Sequence, residues 1–196
     1  LPLGFDTKHA DVAAELAEWP LNHVVKCLFH YHPDDPADLR ERQERQALRL
    51  FDACRSTRHE LLVEIIASKN GPLEATTAAR AIQRFYDLGS KPDWWKLEPD
   101  SNADAWLHIE RAIVGNDPHC RGVVLLGLSA PKEQLIQSFT AAARSSIVKG
   151  FAVGRTIFSE PAQAWFKGRM DDDAAVAAMA AGLSELVDAW RGAKRA

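Results

Sequence analysis

Cysteine is scarce in this 196-residue chain. Cys27, Cys54 and Cys120 are an odd number without metal-ligand spacing, which points to a reduced, cytosolic compartment. An excess of positive charge is also missing. Lys and Arg number 24 against 27 Asp and Glu, a formal net charge of -3, so neither a nucleic-acid partner nor an anionic membrane surface is expected. No apolar run reaches the roughly 20 residues that a membrane-spanning helix requires. The opening stretch LPLGFDTKHADVAAELAEWP has no basic start followed by an apolar segment, so no signal peptide is read there. Low-complexity linkers and internal boundaries are absent, and 1–196 reads as a single unit. Leu at position 1 in place of Met reads as a fragment of a longer chain.

What is present is an ordinary globular mixture, 46% hydrophobic and 26% charged. Five short apolar runs alternate with longer amphipathic ones: VVKCLFHY (24–31), ELLVEII (60–66), DWWKLE (93–98), GVVLLG (122–127) and VKGFAVG (148–154). Each has strand length, and most are apolar at consecutive positions, the pattern of parallel strands covered on both faces. Between them, apolar residues at spacings of three and four predict helices through Leu39, Leu48, Phe51 and Cys54, through Leu73, Ile82, Phe85 and Leu88, through Trp106, Ile109 and Ile113, and through Leu135, Ile136, Phe139 and Ala143. An Ala-rich helix is expected over 172–190, with Asp171 to Asp173 favouring its N-terminus. Pro36, Pro72, Pro131 and Pro161 are each expected at a first helical position, and Gly89 at a helix C-terminus. Repeated βα units mean an α/β fold with a parallel sheet. Five units make either an open doubly wound sheet or the C-terminal part of a (β/α)8 barrel, which needs about 250 residues when complete.

The informative residues are charges set inside apolar strands. Lys26, Glu64 and Lys96 fall on three successive runs, and an unpaired buried charge is costly. Any one of them alone reads as an ordinary internal ion pair or a partly wet strand face; together they read as a site. Two lysines and a carboxylate suit Schiff-base chemistry. An amine freed of its proton attacks a ketone, the iminium weakens the adjacent carbon–carbon bond, and a carboxylate moves the proton. Glu98, two residues from Lys96, shares its strand face and is a candidate local counter-ion. The last two runs end in LGLSA (126–130) and FAVGRT (151–156). Gly127 and Gly154 allow close backbone approach, Ser129 offers a hydroxyl and Arg155 a guanidinium, a phosphate-binding set for the loops after the last two strands of a barrel. The plain alternative is a glycine turn beside a surface arginine.

These segments, in this order, resemble strands four to eight of class I aldolases of the tagatose-bisphosphate aldolase type. More closely, the whole chain resembles the C-terminal aldolase-like domain fused to bacterial 5-dehydro-2-deoxygluconokinase of myo-inositol catabolism. The resemblance implies Lys96 as the imine-forming lysine, Lys26 as a second active-site lysine and Glu64 as the proton shuttle. It implies Ser129 and Arg155 as holders of the substrate phosphate. It also implies a class I retro-aldol cleavage without a cofactor, a phosphorylated sugar-acid substrate, and an upstream kinase domain together with strands one to three, absent here. A non-catalytic appended domain that binds a sugar phosphate or supports an oligomer is the competing class.

Several features carry plainer readings. His30 and His32 flank Tyr31 and read as exposed loop histidines, a metal site lacking a third ligand. The stretch 40–45, RERQER, reads as a solvated helix face. Trp94 and Trp95 are expected on opposite strand faces, with one under the helices. The last helix reads as barrel cover or an interface, which allows a homo-oligomer.

Overall fold

A computed structural model describes residues 11–128 and 130–195. The chain runs α1 (Val12–Ala17), β1 (Val24–Phe29), α2 (Ala37–Thr57), β2 (Glu60–Ile65), α3 (Thr77–Asp87), β3 (Trp94–Leu97), α4 (Ala103–Asn116), β4 (Gly122–Leu125), α5 (Lys132–Ala142), β5 (Val148–Phe151), α6 (Arg155–Phe166) and α7 (Asp172–Arg195). All five expected strands form, and they pair in parallel in the order β1-β2-β3-β4-β5. That order decides between the two architectures left open by the sequence. A doubly wound sheet reverses its strand order at a switch point, whereas right-handed crossovers between successive neighbours lay every helix on one face. The fold is therefore an α/β arc of a barrel, and the arc is not closed: among the described residues β1 pairs only with β2, and β5 only with β4.

Burial follows from this arrangement. On the helix-covered face Val25, Phe29, Leu61, Val63, Ile65, Trp95, Leu97, Val123 and Leu125 are all buried. On the other face Val24 and Leu28 remain 45% and 39% exposed, and Leu62, Trp94 and Val124 are only half-buried. The expectation of strands covered on both faces is thus corrected. Consecutive apolar residues arise here because one set packs under helices while the other lines the concave side of the arc. Trp95 is buried and Trp94 half-buried on opposite faces, as the strand period requires.

The core centres on α3. Phe85 is fully buried and meets Phe29, Tyr31 and Trp95 edge-on at ring-centroid distances of 5.7, 5.2 and 5.9 Å. Such contacts add about 0.5–1.5 kcal/mol each beyond area burial. The Trp95 indole N–H is satisfied by the Tyr86 hydroxyl at 3.0 Å. Beyond β5, α7 packs against α5 and α6.

Helix ends follow some local signals and override others. Gly89 follows α3 with φ 90°, its N–H donating to Tyr86 O at 2.9 Å and that of Ser90 to Phe85 O at 3.0 Å. The same pair of bonds closes α2, from Arg58 to Arg55 O and from His59 to Cys54 O, but there the left-handed residue is Arg58, with φ 63°. Pro36 and Pro131 occupy the N-cap rather than the first helical turn. Pro72 lies in the loop before α3, whose N-cap is Thr76. Pro161 lies inside α6, because that helix begins directly after β5 at Arg155. The short α1, capped by Asp11 through the Ala13 N–H, was not anticipated.

Candidate active site

The register of the sheet brings the expected trio together. Leu28, Glu64 and Lys96 are aligned across β1, β2 and β3, and Lys26 lies two residues before Leu28 on the same face. Glu64 sits at the centre. Its Oε2 is 2.7 Å from the Lys26 ammonium and its Oε1 is 3.4 Å from that of Lys96. The carboxylate is 7% exposed, Lys96 18% and Lys26 45%, so a nearly buried anion is shared between a sheltered cation and a wetter one. Oε2 is buried and accepts no directed hydrogen bond, and Lys26 compensates it by proximity of charge. All three side chains lie on the concave face that no helix covers, because a charge on the opposite face would have to enter the apolar layer beneath α2–α4.

Glu98 is not the counter-ion of Lys96. Its carboxylate accepts the N–H groups of Ala67 at 2.8 Å and Ser68 at 3.1 Å, together with the Ser68 hydroxyl, and so fixes the loop after β2. Glu64 takes the counter-ion role instead.

A cleft of about 230 Å³ opens beyond the strand ends and is lined by Glu64, Lys96, Gly127, Gly154 and Arg155, with Phe158 among its apolar walls. Both glycines sit close against neighbouring side chains. A Cβ on Gly127 would lie 2.8 Å from Thr156 Oγ1, and one on Gly154 would lie 2.9 Å from a ring carbon of Phe158. Arg155 opens α6, is exposed, and has no acidic partner among the described residues. Ser129 lies outside the described residues. Lys26 does not line this cleft and reaches the site only through Glu64.

Other residues behave differently from their sequence reading. His32 is buried at 5% exposure, not exposed. Its Nδ1 accepts the Asp34 N–H at 3.2 Å, which leaves Nε2 to donate to Pro72 O at 3.1 Å. Neither nitrogen has a lone pair free for a metal, and no group of three potential ligands gathers among the described residues. Within the stretch expected as a solvated face, Glu44 is only 4% exposed. It accepts Tyr31 Oη at 2.8 Å and both Arg84 Nε and Nη2 at 2.9 Å. The bidentate Arg84 contact holds the Glu44 carboxyl below the usual carboxylate range, while burial and then Glu44 push the Tyr31 phenol up. The signal was available in the sequence: Glu44 falls three residues before Ala47 and six before Leu50, on the buried stripe of α2. All three cysteines are free thiols. Burial raises Cys27 and Cys120 to about 11 and Cys54 to about 12.

A parallel sheet in sequential order, each strand followed by a helix, is the layout of part of a (β/α)8 barrel. The solved structures agree on the fold. One of those matched is fructose-bisphosphate aldolase from Plasmodium falciparum, described in a ternary complex with TRAP and a small-molecule inhibitor, at a TM-score of 0.56 and 15% identity over 88% of this chain. This chain spans 56% of that protein. No curated protein matches. A family profile covers residues 1–194, and the chain belongs to the family described as "Uncharacterized protein conserved in bacteria (DUF2090)". No helix among the described residues is long and apolar enough to cross a membrane.

Proposed function

We propose that this chain is a class I aldolase-like domain that cleaves a phosphorylated keto-deoxy sugar acid through a lysine imine. The observation that carries the reading is the buried Glu64 carboxylate shared by Lys26 and Lys96, with Glu64 and Lys96 lining the same cleft as Arg155. Lys96 in its amine form attacks the substrate ketone, and loss of water gives an iminium. The electrons of the adjacent carbon–carbon bond move into the iminium as Glu64 takes the proton of the neighbouring hydroxyl, releasing an aldehyde and leaving an enamine. Glu64 returns the proton to carbon, and water hydrolyses the resulting iminium to restore Lys96. Lys26 holds Glu64 in place. Gly127, Gly154 and Arg155, with Ser129, hold the phosphate at the loops after β4 and β5.

In this reading the products are dihydroxyacetone phosphate and malonate semialdehyde. The resemblance of the strand motifs to the domain fused to 5-dehydro-2-deoxygluconokinase supports a kinase–aldolase polypeptide of inositol catabolism, working in the cytoplasm, in which three further βα units complete the barrel. The test is borohydride reduction of the full-length polypeptide with dihydroxyacetone phosphate, followed by peptide mass spectrometry. An adduct on Lys96 is expected. An adduct on Lys26 instead would transfer the nucleophile. No adduct at all would overturn the aldolase reading in favour of a non-catalytic sugar-phosphate-binding or oligomerisation domain.

A further inference from the structure

The two loops assigned to phosphate come from different βα units, so something must hold them in register. We propose that Thr156 is the positioning residue that does so: its hydroxyl ties the turn after β4 to the first turn of α6 and thereby sets Gly127 beside Arg155. This rests on the imine and phosphate reading above.

The turn after β4 is strained. Leu128 has φ 46°, a left-handed conformation that side chains beyond glycine rarely adopt. The Ala130 N–H closes the turn on Gly127 O at 2.7 Å. The carbonyl of that same Ala130 accepts the Thr156 hydroxyl at 3.2 Å. A threonine on a helix commonly turns its hydroxyl to backbone within its own turn or to water. Here it reaches a loop 26 residues away in the chain. Gly127 completes the contact, since a Cβ there would lie 2.8 Å from Thr156 Oγ1 and 3.0 Å from Val153 Cγ1. Gly127, Leu128, Arg155 and Thr156 all face the cleft that holds Lys96. The strained turn, the hydroxyl that braces it and the cation beside it thus form one constructed corner of the cleft.

The experiment measures Lys96 trapping by borohydride in the full-length polypeptide as a function of two ketones, dihydroxyacetone phosphate and dihydroxyacetone. Thr156→Val keeps the shape and removes the hydroxyl. It should raise the half-saturating concentration of the phosphorylated ketone relative to the unphosphorylated one by about five- to tenfold, the effect of one hydrogen bond. Thr156→Ser should restore the ratio. Gly127→Ala, which forces the Thr156 hydroxyl aside, should shift the ratio in the same direction and serves where Thr156→Val folds poorly. An unchanged ratio in Thr156→Val or Gly127→Ala, or a Thr156→Ser protein as defective as Thr156→Val, overturns the positioning role while leaving the aldolase reading standing. No Lys96 adduct with either ketone in the unmutated protein overturns both.

Discussion

The arrangement of Glu64 between two ammonium groups makes a quantitative prediction about stability that is independent of catalysis. With Lys26 at 2.7 Å and Lys96 at 3.4 Å, either lysine alone leaves the carboxylate with one cation. Lys26→Met removes the nearer but more exposed partner, whose contribution water already weakens, and should cost about 0.5–1 kcal/mol. Lys96→Met removes the sheltered partner and should cost about 1–2 kcal/mol, intermediate between exposed and buried pairs. The double variant leaves a 7%-exposed carboxylate with no cation at all. Breaking a buried pair in this way costs about 3–5 kcal/mol, so the double variant should exceed the sum of the singles by about 1–2 kcal/mol. Urea unfolding of all four proteins, with the slope of the transition checked for constancy, gives the coupling directly. Additivity within about 0.5 kcal/mol would refute the claim that Glu64 is shared. So would a recovery of stability in the double variant, which would mean that the two lysines mainly repel each other.

Three further outcomes follow from features outside the trio. Arg58→Gly should raise stability by roughly 0.5–1 kcal/mol, because φ 63° strains arginine and not glycine; a lowered melting temperature would contradict it. Glu44 has a folded pKa below its unfolded one, so its stabilisation is fully present above the unfolded carboxylate pKa near 4.5 and is lost as pH falls below that value through the folded pKa. Glu44→Gln should accordingly flatten the acid limb of the stability profile below pH 4.5 while leaving its slope above that value unchanged, and an unaltered limb would refute the assignment. With Cys27 and Cys120 raised to about 11 and Cys54 to about 12, Ellman's reagent at pH 8 should react slowly with the native protein and rapidly after unfolding, whereas fast native reaction would contradict the burial.

The five strands, their helices and the convergence of Lys26, Glu64 and Lys96 were legible because they rest on periodicity and on the cost of isolated charge. Three lysine or glutamate side chains embedded in apolar runs leave little choice but a common uncovered face. What stayed hidden depends on distances across the chain. Glu98 shares a face with Lys96 in any regular strand, yet two backbone N–H groups from the neighbouring loop claim it first. Glu44 was misread because the charges around it are solvated, although its own spacing to Ala47 and Leu50 places it inward. Pro161 looked like a helix start because a proline is tolerated there, but the chain had already turned helical at Arg155, after a link of only residues 152–154 beyond β5. The role of Thr156 had no sequence signature at all. It depends on a carbonyl in another loop.

The sequential strand order has a consequence for how the chain is made. Every strand of the sheet pairs with the strand immediately before or after it in the chain, and α3 packs on α4 as α6 does on α7. Within the five described strands no pairing must wait for a distant segment, so loop-closure entropy stays modest there and contacts remain local for a parallel sheet. Each βα unit can dock on the unit before it in the chain. The same nearest-neighbour character means that damage to one unit weakens its two flanks before it reaches the far end of the arc.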